Sequence, residues 1–160
     1  VDKLSQRQLL DDLSIASPPW CPLSRVSPAQ PALPQGWTFP VMAKAARGGY
    51  DGKGTRVIQT IEALAQLIRT VDVSDWLLES WVSYERELAL ICSRDRQGRV
   101  RSYPLVETHQ SHQVCDWVLA PASVDQSLEA QAYNMAASLL TKLKYVGVLA
   151  LEFFYTCSFR

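Results

Sequence analysis

The chain has 160 residues, 48% of them hydrophobic, and sixteen basic residues balance sixteen acidic ones. That length and apolar content suffice for a packed core, and a formal net charge of zero removes any bulk electrostatic case for nucleic acid or an anionic membrane as partner. No apolar run approaches the roughly 20 residues that span a bilayer, and four cysteines without a CxxC pair are expected as reduced thiols in a cytoplasmic protein.

Leu4, Leu9, Leu10 and Leu13 recur at helical spacing and predict a helix over 3–13, which Pro18 and Pro19 keep from continuing. A proline-rich stretch follows, with a short extended piece at Trp20–Leu23. Phe39–Ala46 reads as a strand that runs into a glycine-rich loop, Gly48–Gly54, and Arg56–Ile58 as the strand leaving it, so that the three form a hairpin. Ile61, Leu64, Ala65, Leu67 and Ile68 supply the apolar face of a helix over 60–70. Strands are expected at Trp76–Val82 and Tyr84–Cys92, with a break near Ser83. Arg94, Arg96, Arg99 and Arg101, grouped around Asp95, read as a solvated hairpin turn. Val100–Val106 predicts another strand, 107–113 an irregular polar stretch, and Val114–Leu119 a short extended segment. A long helix over Ser123–Leu143 takes Ser123 as its N-cap, and Gly147 leads into an apolar strand, Val148–Phe154. This order implies an α+β fold with antiparallel sheets and packed helices.

Three groups of residues carry chemistry. Lys44 precedes Gly48-Gly49-Tyr50-Asp51-Gly52-Lys53-Gly54-Thr55. Four glycines in seven residues let the backbone approach a ligand closely, and amides on such a loop can point at phosphate oxygens. The loop is not a Walker A, because Gly54 follows Lys53 and Arg47 stands where the first glycine is required. Nor is it a dinucleotide fingerprint, since a strand follows; a plain turn is the alternative. Second, Glu79-Ser80-Trp81-Val82 sits at a strand-to-strand hinge whose unpaired backbone groups could read an adenine edge, with Glu87 placed to accept from ribose hydroxyls. The alternative for Glu79, Glu85 and Glu87 is a charged solvent face. Third, Glu152 is the single charge in an apolar strand, costly there unless paired or metal-bound. Magnesium, held by carboxylates and nucleotide phosphates, is a natural partner; an outward-facing edge residue is the alternative. His109 and His112 form an HxxH that lacks the further ligands of a zinc site, apart from Cys115.

Together these features resemble the ATP-grasp superfamily and, within it, the N5-carboxyaminoimidazole ribonucleotide synthases. Asp2 to Leu10, with Ile15 to Trp20, is similar to that family's lead-in to the ATP-grasp region; Gly48–Gly54 is its most diagnostic loop. Ser102–Thr108 resembles its Tyr-Pro strand and turn, and Tyr145–Phe154 its strand bearing a metal carboxylate. The resemblance implies an ATP-grasp fold: a lead-in helix and linker over 1–18 from a preceding domain, a small hairpin-bearing subdomain over 19–80, and an incomplete larger antiparallel-sheet subdomain over 81–160. It implies an ATP-dependent carbon–nitrogen ligase of purine biosynthesis, which joins bicarbonate to aminoimidazole ribonucleotide through carboxyphosphate and is a cytoplasmic homodimer when full length. Position by position, it implies that Lys44 and Lys53 act on the phosphates as catalytic residues. Gly49, Tyr50, Asp51, Gly52, Lys53, Gly54 and Thr55 would close over ATP, with Glu79, Ser80, Trp81 and Val82 at adenine, Glu87 at ribose, and Glu152 on Mg²⁺. Gln110 stands where the family has a nucleotide-contacting histidine, and His109 lies one place earlier. The family's second metal carboxylate falls past Arg160, so the chain alone is expected to be inactive. Other ATP-grasp carboxylases or ligases, and a non-catalytic nucleotide-binding module, are the competing readings.

Overall fold

The computed structural model describes residues 2–49, 54–112 and 114–156, which divide into two compact units, Val1–Val82 and Ser83–Arg160. Tyr50, Asp51, Gly52, Lys53 and Cys157 therefore lie outside the described residues. Every strand pair is antiparallel, and helices pack with sheets in an α+β arrangement, as the element order predicts.

The first unit opens with α1 (Lys3–Asp12), capped by the Asp2 carboxylate on the Ser5 amide. Strands β1 (Trp20–Pro22), β2 (Val41–Ala45), β3 (Thr55–Ile58) and β4 (Trp76–Ser80) form one sheet in the order β1-β4-β2-β3. Helix α2 (Ile61–Thr70), capped by Thr60, packs Leu64, Leu67 and Ile68 into the core with Val41, Ala43 and Leu78. Leu64 and Leu78 are fully buried, and burying one leucine contributes roughly 2 kcal/mol. Because side chains alternate along a strand, Val41, Ala43 and Leu78 take one face of the sheet and leave Met42, Lys44 and Glu79 on the other. Helix α1 is tied to the end of β2: the Lys3 amide donates to the Ala46 carbonyl (2.9 Å) and the Lys3 ammonium to that of Ala45 (3.2 Å).

In the second unit, β5 (Arg86–Arg94) pairs over its whole length with β9 (Gly147–Tyr155) on one side. On its other side lie β6 (Val100–Ser102) and β7 (Val106–Ser111), the latter continued by β8 (Val114–Leu119). Helix α3 (Gln126–Lys142) lays Ala132, Ala136 and Leu140 on Leu88, Leu90, Cys92 and Leu149, Leu151 and Phe153. The β5–β6 connection is the hairpin turn that the arginines around Asp95 predicted, closed by an Asp95–Arg99 ion pair. Cys21, Cys92 and Cys115 are free thiols, and burial pushes the first two above the usual range.

Three local expectations are corrected. Residues 106–111 form a strand instead of an irregular stretch, because pairing with β5 and β8 satisfies a polar, half-buried backbone that composition alone marks as loop. The strand expected over Val100–Val106 stops at Ser102, since Pro104 has no amide to donate to a ladder. The α3 cap is Asp125, not Ser123: its carboxylate accepts from the Leu128 amide at 2.8 Å. The Ser127 hydroxyl and then that amide hold the Asp125 carboxyl below its ordinary value. Asp125→Ala is expected to lower the melting temperature by a few degrees, and Ser123→Ala to leave it unchanged. A depressed carboxyl contributes stability above its ordinary pKa and loses it as pH falls through the lowered one. The Asp125→Ala deficit should therefore vanish in acid, which thermal unfolding from neutral to strongly acidic pH will check.

Candidate functional site

A cluster of three charged side chains forms where β2 and β4 run side by side. Met42 lies opposite Glu79 in the register, so Lys44, two residues on, is a diagonal neighbour of Glu79 on the same face. The Lys44 ammonium reaches Glu79 Oε2 at 2.6 Å. Arg7 of α1 takes the other oxygen: its Nε donates to Oε1 at 2.8 Å, with Nη2 on the same atom. Glu79 is 3% exposed, the only buried charged residue among those described, which overturns the solvent-face alternative for it. A carboxylate this buried needs such partners, because desolvating an unpaired charge is costly.

Lys44 stands next to the glycine hairpin. It pairs with Thr55 across β2–β3, and the Ala45 amide donates to the Gly54 carbonyl at 2.8 Å, closing the loop's base. Gly48 and Gly54 have φ of +72° and +85°, and a Cβ on Gly54 would sit 3.2 Å from that of Ala45. Glycine is thus required at the point where the loop enters β3. Gly49 is described, while Tyr50, Asp51, Gly52 and Lys53, four of the residues expected on phosphate, are outside the described residues.

Strand β4 ends at Ser80, whose amide is not free as the hinge reading expected: it donates to the Pro19 carbonyl at 2.8 Å. Trp81 and Val82 follow in a segment with neither helix nor strand, and the Trp81 side chain is exposed.

In the second unit, Glu87 pairs with Phe154 and Thr108, and Glu152 pairs with Ala89. Directly opposed residues share a sheet face, so the register brings Glu87, Thr108, Glu152 and Phe154 onto one face, opposite the Leu88–Leu90–Cys92 core. Glu87 accepts from the Tyr84 hydroxyl at 2.6 Å, and Tyr84 stacks on Phe154 with ring centroids 4.4 Å apart. The bond to Glu87 pushes the Tyr84 phenol up to about 12. Glu152 is exposed, so the burial cost that sequence reasoning assigned to it does not arise; β9 alternates between core and solvent. Gln110 lies past a β-bulge, half-buried and opposite Cys115. His109 stacks on Trp117 and approaches Asp116 at 3.8 Å. Among the described residues, no three His, Cys, Asp or Glu side chains gather as a metal site, and no helix is long and apolar enough to cross a membrane.

Arg7 escaped the sequence reading. Its only trace there is a cation spaced three residues from both Leu4 and Leu10, hence on the inward stripe of α1.

The model of the family described as ATP-grasp domain matches residues 8–158. Among curated proteins, the chain is 44% identical over 154 residues to an N5-carboxyaminoimidazole ribonucleotide synthase of Synechocystis, with 96% of this chain and 38% of that protein covered. It is 37% identical to the protein of that name from Synechococcus elongatus, covering 96% of this chain and 39% of that one. The crystal structure of N5-carboxyaminoimidazole ribonucleotide synthetase from Thermus thermophilus superposes with a TM-score of 0.80 at 29% identity, over 98% of this chain and 42% of that one. The chain thus spans well under half the length of the curated relatives it matches.

Proposed function

The chain belongs to the ATP-grasp domain family, and on that premise we propose that it is the ATP-holding part of an N5-carboxyaminoimidazole ribonucleotide synthase. The observation that carries this reading is the Lys44 ammonium, fixed at the end of β2 by Glu79 and set beside a hairpin whose base is closed from Ala45 to Gly54. A cation and glycine amides at one strand end suit the phosphates of a nucleotide. Lys44, with Lys53, acts on the phosphates, and residues 49–55 cover them. The segment Glu79 to Val82 meets adenine through groups other than the Ser80 amide, with Glu87 at ribose and Gln110 also on the nucleotide. Transfer of the γ-phosphoryl group to a bicarbonate oxygen gives ADP and carboxyphosphate. The exocyclic amine of aminoimidazole ribonucleotide then bonds to the carboxyl carbon and inorganic phosphate leaves. The protein's part is positioning and charge neutralisation.

Magnesium fits as a partner of Glu152, whose exposed carboxylate is a hard oxygen donor suited to one position on the ion, with phosphate oxygens and water filling others. When bound, the ion would neutralise phosphate charge. The Synechocystis and Synechococcus relatives support the ligase reading over other ATP-grasp carboxylases. We extend to the full-length protein a homodimeric state and a cytoplasmic location.

The test is ADP release by the full-length protein with Mg-ATP. Release that requires both bicarbonate and aminoimidazole ribonucleotide is the expected result; release indifferent to the ribonucleotide would overturn the assignment.

A further inference from the structure

We propose that Arg7 is a positioning residue for nucleotide binding: by neutralising Glu79, it leaves the charge of Lys44 available to the triphosphate. This rests on the phosphate role given to Lys44 above. The geometry divides one buried carboxylate between two cations, with Arg7 on Oε1 and Lys44 on Oε2. One carboxylate against two cations leaves a net charge of +1 in the cluster. Without Arg7, Lys44 and Glu79 form a closed pair of zero net charge, and a phosphate must compete with Glu79 for the same ammonium. Because Glu79 is 3% exposed and the Arg7 and Lys44 side chains are 19% and 22% exposed, water screens these charges poorly, and one added charge acts strongly on a nearby anion. A guanidinium suits this task, since its fork can lay two N–H groups on one oxygen without titrating.

A mere strut between α1 and the sheet would predict otherwise. Losing a strut lowers stability and reduces the active fraction, which lowers kcat and leaves every KM as it was. Losing a counter-charge raises KM for Mg-ATP selectively and is repaired by any cation at the position.

The experiment compares Arg7→Met, Arg7→Lys and Lys44→Ala in the full-length protein, by steady-state kinetics in each substrate and by circular dichroism to establish folding. Arg7→Met is expected to raise KM for Mg-ATP on the order of tenfold while KM for bicarbonate and aminoimidazole ribonucleotide stays at the parent value. Arg7→Lys should return KM for Mg-ATP to within about threefold of the parent. A folded Arg7→Met protein with parental KM for Mg-ATP overturns the proposal, as does an Arg7→Lys protein no better than Arg7→Met. Should Arg7→Met not fold, Arg7→Lys decides alone, a tenfold rise being the adverse result. Lys44→Ala separates the two layers: if it leaves Mg-ATP kinetics untouched, the phosphate role of Lys44 fails; if it alone is impaired, only the role of Arg7 fails.

Discussion

Lys44→Ala in the full-length protein is expected to cut ATP-dependent carboxylation on the order of a thousandfold, a scale seen when a fixed donor aimed at developing charge is removed, and to leave the fold in place. The structural side follows from the shared carboxylate. Glu79 keeps Arg7 on Oε1 after Lys44 is truncated, so no buried charge is stranded, and the backbone pairing of residue 44 with Thr55 and Leu77 does not involve its side chain. The lost group is an ammonium held in one place before nucleotide arrives, which water cannot replace at equal cost. Lys44→Arg keeps the charge but on a broader head and should recover only part of the rate. ADP release and circular dichroism on the same preparations check both halves; undiminished turnover by a folded Lys44→Ala protein would sink the phosphate role.

The second large effect is on stability. Glu79→Ala removes the carboxylate that holds Arg7 and Lys44 together and is expected to destabilise the first unit by about 3 kcal/mol. Partial exposure of both cations, 19% and 22%, lets their heads turn toward water and keeps the loss at the lower end of what a broken buried pair costs. Glu79→Gln, which preserves shape and one acceptor oxygen, should cost less. Hydrogen exchange is the suitable measurement, because amides of β2 and β4 report the first unit separately. Their protection should fall in Glu79→Ala, while β5 and β9 amides should exchange at the parental rate. Equal protection throughout would mean that the ion cluster contributes nothing to the fold.

What the sequence made legible was local. The leucines of α1 and the apolar stripe of α2 recur at helical spacing, and both helices lie where that spacing put them. The glycine hairpin was readable because few other reasons exist for so many glycines between two short strands, and Lys44 pairs across it with Thr55. The Glu79 cluster was not readable, since it joins residues 72 apart in the chain and depends on the register between β2 and β4. Strand β7 was missed because Glu107, Thr108, His109 and Gln110 have loop composition, and only the neighbouring strands supply partners for their backbone. Glu152 was recognised as unusual for the wrong physical reason: its strand looked uniformly apolar, yet alternate side chains point away from the core. The common face of Glu87 and Glu152 likewise emerges only from the β5–β9 register.

That nine-residue pairing also guards itself against error. A slip of β9 by a single position would turn Leu149, Leu151 and Phe153 outward and drive the Glu152 carboxylate under α3, against Ala136 and Leu140. The misaligned ladder would keep most of its backbone bonds and still lose the competition, because it would strand a charge in oil and empty the space beneath the helix. A lone acid on a greasy strand is therefore also a registration mark, telling the chain during folding which way that strand must face.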